Sequence, residues 1–247
     1  MPTVADLSDP YGNFMLGPRR GPGICDVCFT FTDGYERCYT CARAEQMLDA
    51  VAPISYSIAR GQLHHVLATY KRLQRRVARP LGVQLAAVLW RFLAGHEQCL
   101  ASAVGVRGFD LVATVPSGVR ERDERHPLRW IVADVVGPTS DRYEPLLARS
   151  RRDARPHEFD PDRYVALGPL AGQSVLLVDD TWTTGANAQS AATALKVAGA
   201  GPVAAVVIGR HVNREWGYND RRLGDLERPF DWSACAFCSP RMAPVNV

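Results

Sequence analysis

Two adjacent carboxylates, Asp179 and Asp180, stand in the segment VLLVDDTWTTGAN that runs from Val175 to Asn187. Carboxylates accept hydrogen bonds from sugar hydroxyls, and Thr183-Thr184-Gly185 just beyond them offers two hydroxyls and a run of backbone N–H groups to an anion. Gly185 has no Cβ to keep that anion at a distance. Two Asp side chains would repel a bare phosphate, so a ribose carrying a 5-phosphate suits the segment better. No Gly-Lys-Ser/Thr follows, which argues against a nucleoside triphosphatase loop. The plainer alternative is a pair of Asp residues that cap a helix and face water.

Cysteine spacing is the second signal. Cys25-x2-Cys28, nine residues, then Cys38-x2-Cys41 makes two knuckles with Asp33-Gly34 as a turn between them. Four thiolates complete the tetrahedral shell of structural Zn²⁺, and a shell closed in this way leaves no position for water. Disulfides are the competing use of such cysteines, one that a reducing compartment disfavours. Cys235-x2-Cys238 reads as half of a second metal site, a redox pair or two small buried residues, and Cys99, in an apolar context, reads as a core residue.

Positioning these groups takes a mixed α/β chain. Val175–Val178 is an unbroken apolar run, as in a strand covered on both faces of a parallel sheet, and ligands of such sheets bind beyond the strands' carboxyl ends. Asp179 and Asp180 are expected to emerge there, with Thr181–Asn187 as the turn, Ala188–Ala198 as an Ala-rich helix stopped by Gly199, and Val203–Ile208 as the next strand. Leu63, Val66, Leu67, Tyr70, Leu73 and Val77 recur at helical spacing up to Pro80, which is expected to end that helix. Arg72, Arg75, Arg76 and Arg79 group on its opposite face, which suits an acidic partner or plain solvent. Val83–Ala94 reads as an interior helix, Leu111–Val115 as a strand, and Leu128–Val136 as a helix begun by Pro127 and stopped by Gly137-Pro138. Pro116-Ser117-Gly118 and Arg120 follow a strand end and read either as an anion-binding loop or as a surface turn with solvated arginines. The polar stretch Arg149–Arg163, with Arg151, Arg152, Arg155 and His157, reads as a lid over an anionic substrate or as a disordered basic loop.

The Val175–Asn187 segment resembles the signature by which type I phosphoribosyltransferases bind 5-phosphoribosyl 1-diphosphate (PRPP). The resemblance implies that Asp179 and Asp180 are the catalytic pair holding the ribose, that Thr183, Thr184, Gly185 and Asn187 hold its 5-phosphate, and that Thr181 and Ala186 belong to the same PRPP-binding segment. It also implies that Pro116, Ser117, Gly118 and Arg120 meet the diphosphate. Asn187 stands where Thr or Ser is common in that family, and Trp182 is large for such a loop. With the four-Cys module included, the chain from about Cys25 to His211 is similar to the ComF family, the competence-protein-F-like phosphoribosyltransferases. It departs from that family at Arg125-His126-Pro127, where an Arg-Gly-Phe-Asn-Gln-like run is usual, and in the tail after Asn213.

The resemblance implies an α/β fold of the type I phosphoribosyltransferase kind, a mainly parallel sheet flanked by helices, with a small N-terminal zinc-binding module. Residues 1–44 would hold the zinc module, 45–215 the phosphoribosyltransferase-like domain and 216–247 a C-terminal extension. Mg²⁺ would accompany PRPP, structural Zn²⁺ would sit on Cys25, Cys28, Cys38 and Cys41, and the 5-phosphoribosyl group would pass to a nitrogen acceptor with release of diphosphate. The alternative is a non-catalytic adaptor of DNA uptake that meets nucleic acid or a DNA-processing partner and binds PRPP or a nucleotide as regulator. The length of 247 residues suits one α/β domain with an appendage, and a formal charge of +3 is too small to argue for nucleic acid by itself. With no 18-residue apolar stretch and no signal-peptide centre, the expected location is the cytoplasm, with no membrane partner.

Overall fold

Val175–Val178 and Val203–Ile208 form the middle of a sheet because every side chain in them is apolar and tolerates cover on both faces. The computed structural model describes residues 2–71, 75–117, 126–151, 155–226 and 229–238. In chain order its elements are α1 (Val4–Ser8), α2 (Tyr39–Arg43), β1 (Ala50–Ile58), α3 (Gln62–Thr69), α4 (Arg75–Ala103), β2 (Leu111–Thr114) and α5 (Pro127–Trp130). They continue with α6 (Gly137–Ser140), β3 (Leu147–Arg149), β4 (Tyr164–Ala166), β5 (Val175–Trp182), α7 (Ala186–Val197), β6 (Val203–Val212) and α8 (Asn219–Gly224). Four strands make a parallel sheet in the order β1-β6-β5-β2, and β3 and β4 pair separately and antiparallel.

Alternation along the strands sorts the core into two layers. Ile54, Leu176, Val178, Ala204 and Val206 join Leu63 and Leu67 of α3 and Leu85, Leu89 and Phe92 of α4 on one face. Val51, Val175, Leu177, Ala205 and Val207 join Ala188, Ala191, Ala192 and Leu195 of α7 on the other, together with Cys25, Cys28 and Cys41. The small alanines bring α7 close to the sheet, and Gly199, at φ +97°, ends its turn where an L side chain would be strained. The four-Cys module is docked as well: Tyr56 of β1 donates its hydroxyl to the Phe29 carbonyl at 2.8 Å.

Several boundaries differ from the sequence expectation. Pro80 does not end a helix but lies inside α4, whose 29 residues lose a single backbone hydrogen bond to it near the first turns. The apolar repeat from Leu63 to Val77 is therefore divided between α3 and α4, and Arg75, Arg76 and Arg79 belong to α4 while Arg72 lies outside the described residues. Strand β5 runs on through Asp179, Asp180, Thr181 and Trp182, which pair with β6 as far as Trp182 opposite Arg210, so the turn contracts to Thr183–Gly185. Gly137-Pro138 closes one helical stretch and immediately opens α6, because proline suits the first turn of a helix. Among the described residues no helix is long and apolar enough to cross a membrane.

Candidate functional site

Alternation along β5 turns Asp180 to the α3 side of the sheet, where it is buried at 3 % exposure. There it accepts hydrogen bonds from the Tyr70 hydroxyl and from Lys71 Nζ, the latter at 2.6 Å. Burial alone would raise the Asp180 carboxyl, but Lys71, His126 and the two hydrogen bonds outweigh it and hold Asp180 below the ordinary carboxylate value. Among the described residues Asp179 has no such counter-ion in direct contact. Burial and the neighbouring Asp180 charge push it up to about 7. The pair is thus split, one acid firmly ionised and the other titrating near neutrality. Tyr70 is pushed well above its ordinary value, chiefly by burial, and stays a donor.

The turn after β5 leads directly into a helix N-terminus. Gly185 caps α7 in the left-handed region, at φ +83°, and a Cβ there would fall inside the ring of Trp182, which is fully buried beneath the turn. Thr184 Oγ1 donates to the His157 carbonyl at 3.0 Å and accepts from the Ala186 N–H at 3.3 Å. The first-turn amides of α7 open toward the same space as the two acids, which suits an anion. Gly185→Ala is expected to cost about 1–3 kcal/mol in a denaturant titration, from the left-handed backbone and the Trp182 overlap together. A variant as stable as the parent would show that the turn re-forms without the glycine.

One cavity of about 380 Å³ joins these groups. Asp179, Asp180, Thr181, Trp182, Thr183, Thr184, Gly185, Ala186 and Asn187 line one part of it, and Pro116 and Ser117 reach it from the end of β2. Gly118 and Arg120 lie outside the described residues. His157 lines the cavity from the Arg149–Arg163 stretch, which is organised around buried Arg163; the Arg163 guanidinium donates to the carbonyls of Arg155 and Glu158. Arg155 itself is exposed beside Glu158, and Arg152 is outside the described residues.

No protein-family model matches the chain, and no curated protein matches it.

Sequence patterning misses the opposite wall, made of His64, Lys71, His126 and His211. The rings of His64 and His211 meet edge to face at 5.1 Å, and burial, then His64 and Arg210, hold His211 below the usual histidine value. Tyr70-Lys71 at the end of an apolar helical stripe is the one clue to that wall, but its meaning depends on where β5 ends in space.

Among the described residues two groups of side chains have the composition and spacing to hold a metal ion: Cys25, Cys28, Cys38 and Cys41, and also His96, Cys99, Cys235 and Cys238. In each, the ligand atoms lie within 4.8 Å of one another. Cys99 packs against the core, as its apolar neighbours suggest, and also lies within reach of His96, Cys235 and Cys238. The first group is tied to the cavity by Arg210 of β6, which is 6 % exposed. Its Nε donates to the Cys28 carbonyl at 2.7 Å, while Nη1 donates to the carbonyls of Trp182 at 3.2 Å, Thr183 at 3.1 Å and His211 at 2.6 Å.

Proposed function

We propose that this cavity binds PRPP with Mg²⁺, and that the chain is a ComF-like phosphoribosyltransferase that passes the 5-phosphoribosyl group to a nitrogen acceptor and releases diphosphate. One observation carries the proposal. A single cavity has paired carboxylates at the end of a central parallel strand and, one short turn later, the amide-rich start of α7. A ribose 5-phosphate needs acceptors for its hydroxyls and donors for its phosphate at about that separation along one chain segment. In this reading Asp179 and Asp180 hold the ribose, and Thr183, Thr184, Gly185 and Asn187 hold the phosphate. Pro116 and Ser117 stand on the diphosphate side.

The carboxylates of Asp179 and Asp180 fit Mg²⁺, which keeps several waters and takes few protein ligands; with PRPP bound it would supply charge neutralisation for the leaving diphosphate. The chain's own residues do the rest. Lys71 and Tyr70 fix the Asp180 carboxylate, and ionised Asp179 and Asp180 stabilise the positive charge that develops at the anomeric carbon as its bond to diphosphate oxygen breaks. The acceptor nitrogen then supplies the electron pair for the new bond. Four thiolates at Cys25, Cys28, Cys38 and Cys41 suit zinc in a structural role.

Calorimetry with PRPP plus Mg²⁺, set against ribose 5-phosphate alone, tests the ligand. Heat with PRPP that vanishes in Asp179→Ala is the expected result, and no heat with either ligand would sink the proposal. Diphosphate release across a panel of bases and amines tests turnover.

A nucleic-acid-associated role has one specific observation in its favour. Tyr35 and Tyr39 of the four-Cys module are each 72 % exposed, and the Arg43 guanidinium stacks 4.2 Å from the Tyr39 ring centroid. Exposed aromatics beside arginine make a stacking platform for single-stranded bases. Binding to single-stranded DNA that weakens steeply with salt and is reduced in Tyr39→Ala would support it.

A further inference from the structure

The C-terminal part of α4 carries His96-x2-Cys99, three residues apart and so on one helix face, and the segment after α8 carries Cys235-x2-Cys238. Neither pair serves the cavity. Folding brings them together: His96 Nδ1 lies 3.6 Å from Cys238 Sγ and 3.9 Å from Cys99 Sγ, and the Cys235 and Cys238 sulfurs are 3.4 Å apart. A zinc tetrahedron with its usual bond lengths has S···S edges of about 3.8 Å and S···N edges of about 3.5 Å. The observed spacings match that scale.

The surroundings are arranged as a metal's neighbours are. His96 Nε2 sits 3.0 Å from the Trp232 carbonyl, which can only accept, so the ring proton belongs on Nε2 and the Nδ1 lone pair is left facing the sulfurs. Backbone N–H groups of Cys235 and Phe237 donate to the sulfurs of Cys238 at 3.2 Å and Cys235 at 3.4 Å, which holds both sulfurs in place. The same device recurs in the N-terminal module, where the Cys41 N–H donates to Cys38 Sγ at 3.4 Å. A Cys235–Cys238 disulfide would account for neither Cys99 nor the setting of His96; His96 at 4 % and Cys235 at 7 % exposure are buried, Cys99 is half-buried and Cys238 lies at the surface.

We propose that His96, Cys99, Cys235 and Cys238 form a second, structural zinc centre that clasps the segment around Trp232–Cys238 onto α4 and onto the N-terminal cysteine module. A closed three-sulfur, one-nitrogen shell leaves no position for substrate. The clasp has a clear mechanical purpose. Between the ligands Cys235 and Cys238, Ala236 is buried with Ile24 and Phe29, and the Phe237 ring meets Phe29 at 6.3 Å with the Arg20 guanidinium 4.7 Å from its centroid. Phe29 directly follows the ligand Cys28. On the other side Trp232 lies under the Arg91 guanidinium at 4.4 Å. Ten or so residues with no helix or strand of their own could not hold these contacts without a cross-link, and a metal supplies one. The proposal stands apart from the reading of the cavity.

Elemental analysis of the full chain purified under reducing conditions is expected to give two zinc ions per chain, falling to one in Cys99→Ser and to one in Cys28→Ser, with His96→Cys keeping two. X-ray absorption on the unaltered protein covers the case in which a variant does not fold. Two centres of these types average about 3.5 sulfurs and about 0.5 nitrogen per zinc, the four-Cys centre alone gives only sulfur, and the proposed centre alone gives three sulfurs and one nitrogen. Zinc bound by sulfur only, or two zinc ions that persist in Cys99→Ser, would overturn the proposal.

Discussion

Arg210→Met is expected to lower the unfolding free energy by about 3–5 kcal/mol, the range seen when a buried charged group is removed from its partners. Four carbonyls take hydrogen bonds from this one guanidinium, those of Cys28, Trp182, Thr183 and His211. A buried carbonyl left without a donor costs roughly 1–3 kcal/mol, and here the losses are shared because the strands relax together. Arg210 Nη2 also lies 3.7 Å from Cys28 Sγ, so the four-Cys cluster, which as thiolates around a metal would carry net negative charge, would be the counter-ion for the buried cation. Arg210→Lys should recover little, since an ammonium cannot span carbonyls on both sides of the strand. Denaturant midpoints at unchanged m-value measure the effect. A loss below about 1 kcal/mol would mean that the module and the sheet are not held through this residue.

Asp179→Asn is expected to weaken PRPP binding by about 10- to 100-fold, the worth of a hydrogen bond to a charged group. It should also flatten a pH dependence. With Asp179 held up to about 7, a ligand that requires the ionised carboxylate binds best above neutrality. From about pH 8 to about pH 6 the ionised fraction drops from roughly nine-tenths to roughly one-tenth, so affinity falls about tenfold. In the free protein the same shift has the opposite sign. The folded state retains a proton that the unfolded chain has already lost, so this group's contribution to stability is full below its unfolded pKa and disappears as pH rises through about 7. Titrations of parent and Asp179→Asn at both ends of the range decide the matter. Parallel pH profiles for the two proteins would remove Asp179 from the binding step.

Periodicity makes the two central strands, the Ala-rich helix and its glycine stop legible in the sequence, because each is a local pattern with one physical solution. The acidic pair and the Thr-Thr-Gly turn are legible for the same reason. Pro80 misleads because proline's effect depends on how much helix follows, and among the described side chains of α4 the buried ones lie almost entirely downstream of it. The extension of β5 through the two acids is hidden because polar residues give no strand signal, yet β6 supplies their backbone partners. Lys71, His64 and His211 are isolated in sequence and gain meaning only when α3 and β6 meet. Cys99 shows the limit most sharply. Its partners at Cys235 and Cys238 lie more than a hundred residues away, and no local pattern relates them.

The strand order has a temporal consequence. β1 is among the first strands made, and among the described residues its one neighbour in the sheet is β6, with Ala50 opposite Ala204. At roughly 5–20 residues per second a ribosome takes on the order of 10–30 s to travel between them. Throughout that interval β1 has an open edge, and the Cys28 carbonyl waits for an arginine 182 positions away. Nascent chains halted before β6 should therefore be protease-sensitive through β1, and release of the last strand should protect the sheet and the cysteine module together.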